Sequence, residues 1–342
     1  MGSWGGSGFA ALFGGLMAEN VGWRWIFFGG AAVALLGMVM VAGTPESKAP
    51  PRLGYAFDTT GVLSFMVFMV AFQVLVTQGS NLGWTSIWSV GLLVVGIVFA
   101  VIFYRIESGN ENGFVDFGLF RNMTYTGAVL SNLLLNATIG ILLVAMTLVQ
   151  RGGDLTAQEA GFLTIGYGIT IVSFIRVGEK LLQRFGPRRP MIWGSLIVGV
   201  AIVCLMPTNL TLEAYRVFAT IGFTLFGLGL AFYATPSMDA ALSTLPDAQA
   251  GSGAGIYKMA SSIGASFGVA TSSTIFTALS GESAGDRWIE GVISYVGRQD
   301  NVNIREAALA AFGVNLLFVV LAIISIMLTI PKRTEGPGTT DS

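Results

Sequence analysis

Histidine is absent from the 342-residue sequence, cysteine occurs once, and Lys, Arg, Asp and Glu together make up only 11% of the chain. Without histidine the chain lacks the usual proton shuttle and the commonest metal ligand, so any proton chemistry falls to carboxylates. The one cysteine, Cys204 in the apolar run IVGVAIVCLM, gives neither a disulfide framework nor a metal-ligand spacing, and reads as a small buried hydrophobe. So little charge excludes an ordinary soluble domain, which needs roughly a quarter of its residues charged to cover its surface. A net charge of -1, with the 18 Lys and Arg scattered between apolar runs, excludes a concentrated phosphate-binding face and with it nucleic acid as a partner. No stretch clusters carboxylates, or sets a nucleophile beside a base, so the reading is not an enzyme and calls for no cofactor and no metal.

What the chain has in quantity is apolar length, with 53% hydrophobic residues. A bilayer core about 30 Å thick takes about 20 apolar residues per helical span, and backbone groups in lipid force each span to be helical. Such runs lie near residues 3–18, 24–43, 58–78, 87–105, 125–149, 159–176, 191–207, 216–236, 254–278 and 308–330. The expected fold class is an all-α, polytopic membrane protein of about ten transmembrane helices, the first of them short. The opening MGSWGGSGFAALFGGLMAEN has no positive n-region and no convincing cleavage site. It reads as the remainder of a membrane helix rather than as a signal peptide.

Basic residues set the orientation. Alternate connections fall into two sets. One, with the C-terminus, holds 12 Lys and Arg: Lys48, Arg52, Arg105, Arg121, Arg176, Lys180, Arg184, Arg188, Arg189, Lys258, Lys332 and Arg333. The other holds 6: Arg24, Arg151, Arg216, Arg287, Arg298 and Arg305. The richer set is expected on the cytoplasmic side, which places both termini towards the cytoplasm. The connector ESKAPPRLGYAFD is then cytoplasmic, Asp58 is expected to cap the third span, and a solvated loop with a short amphipathic helix is expected outside, over residues 279–307.

Polar groups inside spans are the site candidates, because lipid makes them costly. Asn132 and Asn136 are four apart and share a helix face, as interhelical hydrogen-bonding groups or as the lining of a cavity. Tyr167, Tyr233 and Gln73 are weaker candidates of the same kind. Lys258 lies a turn or two into its span, where its ammonium snorkels to the surface or forms a gate-side pair with Asp239. Gly251 with Gly255, and Gly264 with Gly268, are spaced to let a neighbouring backbone approach. The many Phe and Met residues suit a pocket for flat hydrophobic molecules and a membrane core alike.

In order along the chain, GSWGGSGFAALFGG with GWRWIFF, FRNMTYTGAVLSNLLLN, RVGEKLLQRFGPRRPM, GLGLAFYATPSMDAAL and GIYKMASSIGASFGVA resemble the major facilitator superfamily. Within it they are similar to the fourteen-helix drug:proton antiporters of the staphylococcal quinolone-efflux type. Two departures stand out. In the fifth-helix antiporter motif Gly6, Gly14 and Gly15 fit, but Ala10 and Ala11 occupy the Gly-Pro positions, which puts the proline bend in doubt. In the cytoplasmic gating motif Gln183 replaces the acidic residue, while Arg184, Gly186, Arg188 and Arg189 are kept; these basic groups anchor topology or gate conformational change.

The resemblance implies a division into residues 1–47, helices five and six of an N-terminal bundle; 48–120, a linker with two extra helices; 121–334, a C-terminal six-helix bundle; and 335–342, a cytoplasmic tail. It implies efflux of small amphipathic drugs across the cell membrane by alternating access, driven by a proton gradient, and puts Asn132 and Asn136 on the cavity-lining ninth helix. Helices one to four, with the carboxylate usually linked to proton coupling, would precede Met1 and complete the transporter as partners in the bilayer. The rival reading is a truncated membrane fragment or non-transporting subunit.

Overall fold

The computed structural model describes residues 2–43, 58–109, 117–280 and 294–332, and among them every regular element is helical. The helices are α1 (Gly2–Asn20), α2 (Arg24–Val41), α3 (Thr59–Leu82), α4 (Ile87–Ser108), α5 (Met123–Ala137), α6 (Gly140–Thr147), α7 (Ala157–Phe162), α8 (Ile165–Phe185), α9 (Arg188–Leu205), α10 (Leu212–Leu242), α11 (Asp247–Ser280) and α12 (Val302–Thr329). A 3-10 turn, Phe117–Arg121, leads into α5, and a π turn, Leu148–Gly152, follows α6. The expected connector, the amphipathic stretch of the 279–307 loop and the 335–342 tail fall largely or wholly outside the described residues.

Nine stretches among the described residues are long and apolar enough to cross a membrane, against the ten expected. The difference is α1, where glycine replaces aliphatic side chains and Glu19 and Asn20 close the helix. Two of the nine are interrupted. α5, α6 and the π turn make one span, Met123–Gly152, and α7 with α8 makes another, Ala157–Phe185.

Polar residues start the helices where the sequence changes from loop to apolar run. Asp58 accepts from the Gly61 amide at 2.7 Å, Ser86 from Ser89 at 3.2 Å, and Asn122 from Thr124 and Tyr125 at 3.0 and 3.2 Å. Thr156 and Glu159 form a capping box at the head of α7. Each satisfies amides that have no partner within the helix itself.

α10 is the central element, with α8 and α9 against its two sides; α5 and α6 pack on α11, and α12 closes the bundle against α5, α9 and α11. Glycine sets the closest approaches. A Cβ on Gly194 would lie 2.6 Å from the Gly229 carbonyl oxygen, and one on Gly229 would lie 2.7 Å from that of Gly194, so α9 and α10 touch backbone to backbone. α11 meets α5 in the same way, Gly264 against the Leu133 carbonyl and Gly268 against that of Ala137. At Gly251 and Gly255, by contrast, no atom of the described residues outside the local helix lies within 4 Å of the Cβ position. They lie on the exposed face of the first turns of α11, while Gly253 between them is buried and accepts from Tyr125 of α5 at 2.9 Å.

α3 and α4 pair with each other, Phe65 against Phe103 at 5.1 Å, and α3 also touches α11. α1 lies on α7 and α8, where a Cβ on Gly15 would sit 2.6 Å from the Ala157 carbonyl oxygen and Glu19 accepts from the Gln158 amide at 2.8 Å. α2 buries none of its residues.

Candidate functional site

The interior of the bundle holds a chain of neutral polar groups where α5, α10 and α11 converge. Ser131, Asn132 and Asn136 lie about 12 to 20 Å along α5 at a rise of about 1.5 Å per residue, and Tyr257 lies at a similar depth on α11. For a core about 30 Å thick that begins at the head of α5, that is mid-depth. All are buried, together with Tyr233, Ser237 and Ser261.

Asn132 ties α5 to α11. Its Nδ2 donates to the Ser261 hydroxyl at 2.7 Å and to the Tyr257 carbonyl at 3.0 Å, and its Oδ1 accepts from Asn136 Nδ2 at 2.9 Å. Asn136 Nδ2 also reaches the Asn132 carbonyl at 2.7 Å. The two amides thus act as one unit, possible because a spacing of four puts them on one face.

The hydroxyls beside them run in one direction. Tyr257 donates to Ser237 at 2.9 Å, and Ser237 donates to Tyr233 at 2.9 Å. Tyr233 and Ser131 are 2.8 Å apart, and the Ser131 proton is taken by the Ala128 carbonyl at 3.1 Å, so Tyr233 is the donor there. The relay crosses from α11 through α10 to α5. Fully paired groups of this kind rigidify a core that apolar contacts alone leave interchangeable.

α5 ends just past Asn136. Gly140 opens α6 at a point where Gly268 and Ser272 of α11 leave no room for a side chain. On the far side of the break, Asn315 of α12 donates to the Ser272 hydroxyl and the Ala311 carbonyl, each at 2.8 Å.

The other predicted residues fall elsewhere. Tyr167 is buried on α8, edge-on to Phe226 with ring centroids 5.4 Å apart. Gln73 is half-buried on α3, where its carbonyl accepts from Thr77 at 2.8 Å. Gly6 and Gly14 share α1 with Gly15, but the space around the Gly14 Cβ position is open.

The residues of the expected gating motif lie at the junction of α8 and α9. Gly186 has φ +73°, a left-handed turn that glycine adopts without strain. Arg184 and Arg189 place their guanidinium groups over the Phe185 ring at 5.1 and 5.9 Å, while Arg188 donates to the carbonyls of Ile330 at 2.9 Å and Met327 at 2.7 Å. Gln183, Asp239, Glu179 and Lys332 line one groove of about 1050 Å³ between α8 and α10. Asp239 and Lys258, expected as a pair, are both exposed. At the opposite end of the bundle, ion pairs join Arg298 to Asp154 and Asp300.

Sequence reasoning missed Ser131, Ser237, Tyr257, Ser261 and Asn315. Serine and tyrosine are common in membrane helices and announce no partner, so only the three-dimensional crossing identifies these as one network. Asn315 carried a readable signal, a lone amide in the apolar run AAFGVNLLF. It also missed Arg305, which is buried and gives its N–H groups to the carbonyls of Thr208, Leu210, Val296 and Arg298.

A bundle of interrupted, glycine-packed helices around a neutral polar centre is the architecture of a polytopic membrane protein. Comparison with known proteins gives the family: the Major Facilitator Superfamily profile matches residues 1–269 and, in a second alignment, 128–340, and the chain belongs to that superfamily. Among curated proteins it is similar to the quinolone resistance protein NorB of Staphylococcus aureus strains MRSA252 and COL. In both it is 39% identical over 337 residues, which is 98% of this chain and 68% of the relative. The same protein from strain bovine RF122 / ET3-1 matches to the same extent. Within the superfamily, the relatives it matches are thus named for drug resistance.

Proposed function

We propose that the protein exports amphipathic drugs, quinolones among them, from the cytoplasm in exchange for protons, by alternating access. One observation carries this reading: the similarity to a quinolone resistance protein runs through 98% of the chain, including every helix around the polar centre. In this reading residues 121–334 form one rocking bundle, residues 1–47 belong to the other, and 48–120 link them. The membrane is the cell membrane, with both termini towards the cytoplasm. This orientation is supported by the bias in Lys and Arg, and it puts the Arg188 end of the bundle inside.

The polar centre suits this work because it is neutral. Drugs bind against apolar walls with a few placed hydrogen-bonding groups. Asn132, Asn136 and Tyr233 supply such groups at the depth where transporters of this architecture hold their substrates. Dye efflux from cells expressing Asn132→Ala and Asn136→Ala tests the assignment. Loss of efflux with normal protein in the membrane supports it, and unchanged efflux in both variants removes the two amides from the site.

A further inference from the structure

A second groove lies between α6 and α11, beyond the break that follows Asn136. Its volume is about 170 Å³, and it is lined by Leu143, Thr147 and Arg151 on one side and by Ser273, Phe276 and Thr277 on the other. Each helix thus brings polar groups four residues apart to one face.

The polar groups of this groove are donors without acceptors. Arg151 forms no ion pair and no hydrogen bond among the described residues, and no carboxylate lines the groove. Arg298, by contrast, is held by Asp154 and Asp300. Ser273 and Thr277 donate no side-chain hydrogen bond among the described residues either. A helical serine or threonine often returns its proton to the carbonyl one turn earlier, as Thr147 does to Leu143 at 2.8 Å and Thr224 does to Thr220 at 2.7 Å. An uncompensated guanidinium facing two uncommitted hydroxyls is the chemistry that receives an oxyanion.

Depth selects the kind of oxyanion. If the bilayer core, about 30 Å thick, begins at the head of α5, its far edge falls about 20 residues on, near Leu143. Thr147 and Arg151 follow one and two turns further out, at the level of the headgroups. Outward along this side of the groove the order is therefore Leu143, 40% exposed, then Thr147, then Arg151. A phospholipid has the same order, acyl chain before phosphate, whereas a free oxyanion has no use for the exposed leucine. The volume lies below the roughly 300 Å³ at which pockets begin to hold drug-sized molecules, but a phosphate fits with its chains outside.

We infer that this groove binds the phosphate of a phospholipid. The Arg151 guanidinium and the hydroxyls of Ser273 and Thr277 donate to the phosphate oxygens, and an acyl chain runs down over Leu143. The bound lipid bridges α6 to α11 beyond the break. None of the residues of the drug-export reading is used, so the two stand or fall separately.

The test uses the full chain purified in detergent, dioleoyl phosphatidylglycerol as the probe, and native mass spectrometry to count bound lipid. Dioleoylglycerol, with the same chains and no phosphate, is expected not to bind, and inorganic phosphate at equal concentration is expected not to displace the lipid. Arg151→Gln is expected to weaken binding about ten-fold, with Arg151→Lys recovering part of it, and Ser273→Ala combined with Thr277→Ala to weaken it about five-fold. These side chains have no partners to lose within the protein, so unchanged melting of the variants separates a lost site from a lost fold. Phosphatidylglycerol carrying a photoreactive group is expected to label residues 143–151 or 273–277. Undiminished binding by Arg151→Gln, equal binding of dioleoylglycerol, or labelling confined to other segments would each overturn the inference. Displacement by inorganic phosphate would overturn the lipid as occupant and leave a site for the free oxyanion.

Discussion

Arg188, the first residue of α9, holds the last turn of α12 by donating to the Met327 carbonyl at 2.7 Å, with a second bond to Ile330 at 2.9 Å. The closing carbonyls of a helix have no partner within it and carry the negative end of its dipole, so a guanidinium suits them in both shape and sign. A residue that the sequence assigns to a gating motif thus has a defined structural task. Arg188→Ala is expected to lower stability by about 2 kcal/mol, with Arg188→Lys recovering part of the loss. Thermal unfolding in detergent reads both. Equal melting of Arg188→Ala and wild type would remove the clamp.

Tyr233 sits in the middle of the hydroxyl relay, so its oxygen serves two neighbours. Tyr233→Phe leaves Ser131 and Ser237 without their shared partner and is expected to cost about 1–3 kcal/mol. Tyr257→Phe, at the start of the relay, removes one bond only and is expected to cost less. Because both act through Ser237, the double variant should be less destabilised than the sum of the singles, which a double-mutant cycle on unfolding free energies measures.

The glycines of α11 divide sharply. A methyl on Gly264 or Gly268 would overlap a carbonyl of α5, whereas one on Gly251 or Gly255 meets nothing. Gly268→Ala is expected to cost about 1–3 kcal/mol or more through overpacking. Gly255→Ala is expected to be neutral or to add up to about 1 kcal/mol, the difference in helix propensity. Side-by-side melting of the two variants decides whether the contact or the spacing matters.

Arg298 binds Asp154 and Asp300 on the exposed face of the opposite end. The hydrogen bond from Arg298, foremost, holds the Asp300 carboxyl below its ordinary range. A depressed carboxylate contributes stability that is present above its unfolded pKa of about 3.9 and is lost as pH falls through the lower folded value. Melting should therefore be indifferent to this cluster between about pH 5 and 8. Any contribution is lost only on acidification below that range, and is screened by salt because the groups are exposed. Arg298→Ala should remove whatever acid sensitivity the cluster confers, as a pH series of melting curves would show.

How much of this was legible in the sequence varies with the physics involved. Apolar length alone marks the spans, since lipid forces such runs to be helical, and Asp58 at the head of α3 follows from the step from loop to apolar run. The faces of the helices were not legible in the same way. In an aqueous protein, hydrophobic periodicity separates buried from exposed positions, but here both surroundings are apolar. α2 and α10 read alike, although one buries nothing and the other is the centre of the bundle. The spacing of Asn132 and Asn136 placed them on one face but could not name Ser261 or Tyr257 as their partners, which lie more than 120 residues away. The same limit explains Gly251 and Gly255, whose spacing matches that of Gly264 and Gly268 but whose face is exposed rather than turned to α5.

The central claim is proton-driven drug export, and quinolone accumulation tests it most directly, in cells with and without the gene expressed from its genomic context. The account predicts lower accumulation in expressing cells, abolished by a proton uncoupler. Equal accumulation with and without the gene would contradict drug export, and lower accumulation that survives the uncoupler would contradict proton coupling.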